Sequence, residues 1–226
     1  MNCDAIAPYY EMVEHLSFGK RLEHSRYAFL NEIKTAENAL VCGGGDGRFL
    51  AHLLRVNPSV KVDFVDLSPA MIARAKARIA STDRSAFPRV NFYEGDLRNF
   101  SPRRGAYDLV VTNFFLDCFS DAEVVEIVAQ LTAWATPDAE WLVSDFQETT
   151  GPLSRLCSKG IIRGLYAAFR ITTGLRVTRL PDFAAALASA GFQRDSEESI
   201  AGGLLHSSLW RRAPRPELAK APRPRP

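Results

Sequence analysis

Three glycines and an aspartate near the start of the sequence have the types and the spacing of a nucleoside-binding site. Gly43, Gly45 and Gly47 alternate in the string LVCGGGDGRFL, between an apolar segment and a segment of helical periodicity. Glycines permit a sharp turn and let a ligand approach the backbone, while the start of the following helix offers free N–H groups and a positive dipole. Asp66 ends the next apolar segment, where a carboxylate can accept hydrogen bonds from both hydroxyls of a ribose.

A second set of residues indicates which ligand would lie there. Asp96 ends the string VNFYEGD and can accept a hydrogen bond from an adenine amino group, while Leu67, Met71 and Leu97 can sandwich the base. A dinucleotide-binding turn would have a glycine at position 48, which is Arg48, and the phosphate-binding pattern GxxxxGK[ST] does not occur. The sequence therefore favours a single nucleoside without a diphosphate.

These residues require a sheet whose strand ends meet at one edge. From about residue 39 strand-like and helix-like segments alternate, which predicts crossover connections and a three-layer α/β sandwich with a mostly parallel sheet. A helix is predicted over Leu180–Ala190. The short link at Ala201–Gly203 argues that the last two strands pair antiparallel. The predicted strands are Ala39–Cys42, Val60–Asp66, Val90–Tyr93, Tyr107–Thr112, Trp141–Phe146, Phe192–Ser199 and Leu204–Arg211.

The composition excludes several classes of protein. The chain has 226 residues, 46% hydrophobic and 24% charged, which is typical of a globular protein, and it has no apolar run of the roughly 18 residues that would span a membrane. The net charge of +2 gives no basic face for nucleic acid. Four cysteines and four histidines lack CxxC and HxxxH spacing, so no metal site is expected and the thiols are predicted to be reduced. The first residues lack the pattern of a secretory signal, and the expected location is the cytoplasm.

Over roughly residues 35–212 the chain resembles the class I S-adenosylmethionine-dependent methyltransferases. The matching strings are VCGGGDG, VDFVDLSPAMI, FYEGD and YDLVVTNFFLD. The resemblance implies the Rossmann-like methyltransferase fold, with a seven-stranded sheet whose last strand is antiparallel, and S-adenosyl-L-methionine as the cofactor. It implies that Gly43, Gly44, Gly45 and Gly47 cradle the methionyl part, that Asp66 holds the ribose and that Asp96 holds the adenine. Asn113 directly follows the predicted fourth strand, where open parallel sheets bind ligands, and it can touch the methionyl end.

Three further segments flank or interrupt that domain. Residues 1–34 are predicted to form a helical cover of the active site. The string APYYEMVEHLSFGKR within them loosely resembles the entry segment of the ubiquinone/menaquinone C-methyltransferase group, in which it covers the cofactor. An insertion at about residues 150–178 carries Arg155, Lys159 and Arg163 on one face of a predicted amphipathic helix, which would serve as a lid or contact a membrane surface peripherally. The Pro- and Arg-rich tail, residues 213–226, is expected to be disordered.

Two features leave alternative functions open. The family often has an acid two residues before the first glycine to anchor the cofactor's amino group, and here that residue is Val41. Either another group anchors the amine, or binding is weaker, or the protein binds the cofactor without turnover. Asp46 is nearby, where it can cap the following helix. The string GGGDG also resembles polyamine aminopropyltransferases, although VVTNFFLDCF lacks their Asp-rich catalytic segment.

Methyl transfer from a sulfonium needs alignment of the reacting atoms more than it needs a dedicated catalytic group. Asp117 follows the predicted fourth strand, where it can act as a base or bind the substrate. Tyr10, with Tyr9, can close over the sulfonium through its aromatic face. His24 and Arg26 are weaker candidates because no spacing fixes where they point. The sequence thus predicts a methyltransferase that acts on a small, apolar or aromatic molecule, with the oligomeric state undetermined.

Overall fold

A computed structural model describes residues 20–102, 107–147, 149, 177 and 179–212 of the chain. Within these ranges seven strands and five α-helices alternate along most of the sequence. The strands are β1 (Asn38–Cys42), β2 (Lys61–Asp66), β3 (Val90–Glu94), β4 (Tyr107–Asn113), β5 (Ala135–Phe146), β6 (Phe192–Ile200) and β7 (Leu205–Arg212). The helices are α1 (Lys20–Tyr27), α2 (Arg48–Val56), α3 (Pro69–Thr82), α4 (Asp121–Trp134) and α5 (Phe183–Ser189).

The strands form one sheet in the order β3-β2-β1-β4-β5-β7-β6. The pairs between β1 and its neighbours β2 and β4 are parallel, as are those of β2 with β3 and of β4 with β5. Strand β7 runs antiparallel to both β5 and β6. The predicted mostly parallel sheet with an antiparallel last strand is therefore confirmed. Because β1 and β4 lie side by side at its centre, their carboxyl ends form the crevice in which open α/β sheets bind ligands.

Helices cover both faces of the sheet and divide the core in two. Val41 and Val111 point to one face, where they pack in a buried cluster with side chains of α2 and α3. Cys42 and Val110 point to the other face, where they pack with side chains of α4 and α5. This alternation of neighbouring residues between two apolar layers is what a sheet buried on both faces requires.

Side chains at the helix ends explain where the elements begin. Ser120 caps α4 and forms a capping box with Glu123. Helix α5 begins at Phe183 rather than at Leu180, because the Asp182 side chain accepts from the Ala185 N–H at 2.9 Å. Strand β5 begins at Ala135 rather than at Trp141, directly at the end of α4.

Several predictions from the sequence fall outside the described ranges. These are Tyr9 and Tyr10, most of the segment 1–34, nearly all of the insertion 150–178 and the tail 213–226. Among the described residues, none of the helices combines the length and the apolar character needed to cross a membrane. In the same part of the chain, no group of three or more His, Cys, Asp and Glu side chains is arranged to hold a metal ion.

Candidate active site

The glycine loop between β1 and α2 is tied to the end of β2. The N–H groups of Gly43 and Gly44 point at the carbonyl oxygen of Val65, at 2.9 and 3.4 Å. The Gly45 N–H donates to Asp66 Oδ2 at 2.8 Å. The loop is therefore held across two strand ends, and its curvature depends on the residues that end β2.

Asp66 is the residue that fixes this geometry. Its Oδ1 accepts from the Ser68 N–H at 2.9 Å, while Oδ2 holds Gly45, and the residue is 9% exposed. A carboxylate has about four acceptor positions, so two backbone donors leave capacity for hydroxyl groups of a ligand. Ser68 in turn caps α3 by accepting from the Met71 N–H at 3.2 Å. Asp66 thus organises the loop that would meet the ligand and can itself contact that ligand.

The glycines of the loop differ in what a side chain would meet. A Cβ on Gly44 would lie 2.0 Å from Cε2 of the buried Phe64 ring, and one on Gly43 would lie 2.4 Å from Cδ2 of Phe115. A Cβ on Gly45 would meet nothing within 4 Å, although its φ of +60° already favours glycine. Gly44 therefore allows the loop to pack on the core, whereas Gly45 presents bare backbone to open space.

A small polar cavity of about 50 Å³ lies between the glycine loop and the end of β4. Ligand pockets for whole small molecules usually exceed roughly 300 Å³, so this cavity fits one end of a ligand whose remainder lies over the sheet edge. It is lined by Arg26, Val41, Cys42, Gly43, Gly44, Gly45, Asp46, Arg48, Phe49, Asn113 and Phe114. A larger surface groove of about 460 Å³ lies elsewhere, between α4 and α5.

Buried charges set the electrostatics of this cavity. Asp46 is 4% exposed, and its carboxylate is shared between Arg48 Nε at 3.0 Å and Arg78 Nη2 at 3.0 Å. Arg26 is 8% exposed, and its guanidinium lies 5.0 Å from the centre of the Phe114 ring. The predicted capping role of Asp46 is at most partial, since Gly47 is the cap and the Arg48 N–H lies 3.4 Å from Asp46 Oδ1. The charged side chains that line the cavity are therefore two guanidinium groups, those of Arg26 and Arg48, and one carboxylate, that of Asp46.

The end of β4 supplies an amide that has no hydrogen-bond partner among the described residues. Both Oδ1 and Nδ2 of Asn113 are buried without a hydrogen bond to the described residues. Such orphaned buried groups cost about 1–3 kcal/mol each, so a polar ligand is the natural partner for this side chain. The next residue, Phe114, has a φ of 52°, which is rare for a non-glycine residue and is often found at functional sites. The predicted Asn113 is thus brought to the glycine loop.

The residues predicted to hold the adenine lie outside that cavity. Asp96 receives Nη2 of Arg98 at 2.6 Å and the Arg98 N–H at 2.9 Å, and this contact lowers the pKa of its carboxyl group. Met71 and Leu97 are buried, whereas Leu67 is 39% exposed. The Gly95 N–H donates to the carbonyl oxygen of Asp66, so Asp96 stays close to the ribose end of the site. An adenine amino group would have to share Asp96 with Arg98.

Asp117 faces a second buried carboxyl group, which the sequence reading did not find. Asp117 is 7% and Asp145 is 1% exposed, and the Asp117 N–H donates to Asp145 Oδ2 at 3.1 Å. Burial raises the pKa of Asp117 to about 6, and burial together with the Asp117 charge raises that of Asp145 well above its usual range. Cys118 Sγ contacts Asp117 Oδ1 at 3.5 Å, and Asp145 lies directly opposite His206 in the pairing of β5 with β7. A protonated Asp145 that donates to an ionised Asp117 fits this arrangement.

The stability of the protein should report this pair as a function of pH. Both carboxyl groups hold protons more tightly when folded than when unfolded, so the free energy of unfolding should fall as pH rises from about 4 through about 6, by up to about 1.4 kcal/mol per pH unit for each group. Asp145→Asn keeps a donor and an acceptor but cannot ionise. It should therefore gain stability over the wild type as pH rises, in denaturant titrations between pH 4 and 8.

The exposed Asp138→Asn is the matched control, because it makes the same substitution on the same strand away from the buried pair. A constant offset between Asp145→Asn and the wild type from pH 4 to 8 would contradict the shared-proton interpretation.

Arg26 and Arg48 are cavity residues that the sequence reading underrated or missed. Arg26 lies on α1, far from the glycine loop in sequence, and no spacing signal connects the two. Arg48 breaks the dinucleotide pattern in the sequence, and in the structure it is also the first residue of α2 and lines the cavity. Asp145 had one usable signal, an acid near the end of a strand whose residues 141–143 are apolar.

The sheet order, the glycine loop and the strand-end Asp66 define a Rossmann-like nucleoside-binding protein. Residues 40–140 match the family model described as a methyltransferase domain. That match covers just under half of the chain, and over it the protein is similar to S-adenosylmethionine-dependent methyltransferases, whose cofactor is S-adenosylmethionine. The orphaned Asn113 amide and the open backbone at Gly45 fit such a ligand.

Individual relatives match parts of the chain. Malonyl-[acyl-carrier protein] O-methyltransferase 1 of Ilyobacter polytropus is 34% identical over 85 residues, which are 38% of this chain and 30% of the relative. Polyamine aminopropyltransferase 2 of Bacillus anthracis is 27% identical over 135 residues, 56% of this chain and 38% of that protein. The chain thus aligns with only about a third of the length of these two curated relatives.

The solved structures match the fold more completely. The mitomycin 7-O-methyltransferase MmcR superposes with a TM-score of 0.66 at 18% identity, over 94% of this chain and 61% of that one. At this identity the similarity establishes the fold alone.

Proposed function

We propose that this protein transfers a methyl group from S-adenosylmethionine to a small apolar or aromatic molecule. The observation that carries the proposal is the unpartnered Asn113 amide in a cavity that joins the glycine loop to the end of β4. The name of the structural neighbour that methylates mitomycin, a small molecule, supports the same substrate class. The bound cofactor would supply a methyl group already activated by its sulfonium.

The cofactor's contacts can be assigned from the positions of the side chains. The backbone at Gly43, Gly44, Gly45 and Gly47 would hold the methionyl end, with Asn113 donating and accepting beside it. Asp66 would accept from the ribose hydroxyls while it keeps its bond to Gly45. Asp96 would accept from the adenine amino group, and Leu67, Met71 and Leu97 would contact the ring.

The acceptor would lie over the ends of β4 and β5. The rings of Phe114 and Phe146, with centres 5.4 Å apart, present an aromatic surface there. Asp117, ionised while Asp145 keeps its proton, would receive the proton of an acceptor hydroxyl or amine. Tyr10 lies outside the described residues, and its contact with the sulfonium remains a prediction.

A polyamine aminopropyltransferase is the second candidate, because one relative bears that name. Such enzymes use decarboxylated S-adenosylmethionine, which lacks the carboxylate of the methionyl end. Arg26 and Arg48 line the cavity, and guanidinium groups favour a carboxylate and oppose a ligand end that carries only an ammonium group. The charge of the cavity thus favours the methyl donor over its decarboxylated form.

Arg26→Gln separates the two candidates. We expect it to raise the Kd of S-adenosylhomocysteine by about tenfold or more, because one charge-assisted hydrogen bond to the carboxylate is lost. The Kd of decarboxylated S-adenosylmethionine should change little or fall. Calorimetry with both ligands measures this, and a preference of the wild type for the decarboxylated ligand would favour the aminopropyltransferase instead.

Turnover tests the proposal as a whole. The wild type is incubated with S-adenosylmethionine and a panel of phenols, catechols and aromatic acids, and S-adenosylhomocysteine formation is measured. Methyl transfer to a panel member supports the proposal, while cofactor binding without transfer to any favours a non-catalytic binding protein. Absence of binding to either S-adenosylmethionine or S-adenosylhomocysteine would contradict both.

The cytoplasmic location and the membrane contact of the basic insertion remain proposals. Arg155, Lys159 and Arg163 lie outside the described residues. Co-sedimentation with anionic liposomes that is lost when all three are replaced by Glu would support the membrane contact, and no binding of the wild type would end it.

A further inference from the structure

Three buried serines join the N-terminal helix to the sheet. Ser25 on α1, Ser144 on β5 and Ser207 on β7 are each 0% exposed, and Ser144 and Ser207 lie directly opposite each other in the strand pairing. Ser144 Oγ and Ser207 Oγ donate to the carbonyl oxygen of Ser25 at 3.0 and 2.6 Å. Ser207 Oγ also lies 2.8 Å from Ser25 Oγ and 3.0 Å from Ser144 Oγ.

This serine cluster satisfies the end of α1. The last four carbonyl groups of a helix have no partner within the helix, and the Ser25 carbonyl is one of them. Its contact with a nearby backbone donor, the Ala28 N–H, is long at 3.5 Å. Hydroxyl groups from two strands that are distant in sequence therefore cap the end of this helix. The cluster has four oxygen–oxygen contacts but only three hydroxyl protons, so one contact carries no proton. The two donations to the Ser25 carbonyl oxygen fix the directions of the Ser144 and Ser207 hydroxyl groups.

The cluster is needed because the described part of α1 has little apolar surface. Leu22 is its only buried apolar side chain, next to the buried Ser25 and Arg26. The following residues Phe29 and Ile33 pack in the core and would keep the segment attached without the serines. The serines therefore set the angle and depth of the helix rather than whether it attaches.

Ser144 reaches two of the cavity's lining residues. Its side chain holds the carbonyl of Ser25, the residue before Arg26. Its own carbonyl oxygen accepts from the Phe114 N–H at 2.6 Å, and the Arg26 guanidinium lies over the Phe114 ring. The hydroxyl groups of the serine cluster thus hold the backbone beneath Arg26, and the main chain at Ser144 holds the residue on whose ring the guanidinium rests.

We propose that Ser144 and Ser207 are positioning residues for cofactor binding, because they hold Arg26 where its guanidinium can meet the carboxylate of the methionyl end. This inference rests on the proposed function. The serines would not touch the cofactor. They would act through Arg26, and their removal should affect the amino-acid end of the ligand and leave the adenosine end alone.

The test compares two ligands that differ in that end. S-adenosylhomocysteine carries the amino-acid group, whereas 5′-methylthioadenosine has the same adenosine and thioether but lacks it. For the double variant Ser144→Ala/Ser207→Ala, calorimetry should show the Kd of S-adenosylhomocysteine raised about tenfold, as for the loss of one charge-assisted hydrogen bond. The Kd of 5′-methylthioadenosine should stay within about twofold of the wild type. Adding Arg26→Gln to the double variant should change little further, because residues that act as one unit are not additive.

Ser208→Ala is the matched control. Ser208 is also 0% exposed on β7, but on the opposite face, where it accepts from Trp210 Nε1 at 2.9 Å. It should lower the melting temperature as the serine-cluster variants do and leave both Kd values unchanged. The positioning role would be overturned if the double variant lost affinity equally for both ligands, or if it bound both with wild-type affinity. Failure of the wild type to bind S-adenosylhomocysteine would instead overturn the proposed function, and the positioning role with it.

Discussion

Asp66→Ala is expected to weaken binding of S-adenosylhomocysteine by about 100-fold or more. Two charge-assisted hydrogen bonds to the ribose would be lost, each of about 1.5–3 kcal/mol. The change also removes the acceptor for the Gly45 and Ser68 N–H groups, so the glycine loop loses its fixed curvature. The free energy of unfolding should fall by about 1–3 kcal/mol as well. Calorimetry measures the first effect and denaturant titration the second.

Asp108→Ala separates these two effects. Asp108 also accepts from two backbone N–H groups, those of Glu37 and Asn38, at 2.7 and 2.8 Å, but it lies at the start of β4 on the opposite edge of the sheet. It should lower stability in the same way and leave the Kd of S-adenosylhomocysteine unchanged. If both variants weaken the binding of S-adenosylhomocysteine equally, Asp66 acts only through the fold, and its assignment to the ribose is wrong.

Although Gly44 and Gly45 are adjacent, we expect Gly44→Ala to lower mainly the stability of the fold and Gly45→Ala to weaken mainly the binding of the ligand. The methyl group on Gly44 would clash with the Phe64 ring, which is fully buried in β2 and has no room to move, so the free energy of unfolding should fall by at least about 2 kcal/mol. The methyl group on Gly45 meets open space, so the fold should lose only the roughly 1 kcal/mol of a left-handed φ. That open space is where the ligand would approach, and S-adenosylhomocysteine binding should be largely lost.

The crossed pattern is measured by melting temperature and by calorimetry on both purified variants. A stable Gly44→Ala would show that the Phe64 ring yields, and the packing explanation would fail. A Gly45→Ala variant that binds S-adenosylhomocysteine like the wild type would remove the glycine loop from the proposed cofactor site.

The short-range features of this chain could be predicted from its sequence. The loop glycines and the serine caps at Ser120 and Ser68 act on donors within a few residues, so their roles follow from local spacing. Alternation of apolar segments and helical patterns predicted the parallel strands, and the short link at Ala201–Gly203 predicted the antiparallel hairpin. Asp66 could be placed at the sheet edge because it ends a strand, and all parallel strands end at the same edge.

What the tertiary structure decided is which distant residues share that edge. Arg26 lies beside the glycine loop on a helix that contacts serines of β5 and β7, and these serines lie more than a hundred residues further along the chain. Asp145 meets Asp117, 28 residues earlier in the chain, because β5 pairs with β4. Spacing along a sequence carries no information about such contacts, because strand order and register, set by the packing of the whole core, determine which side chains meet.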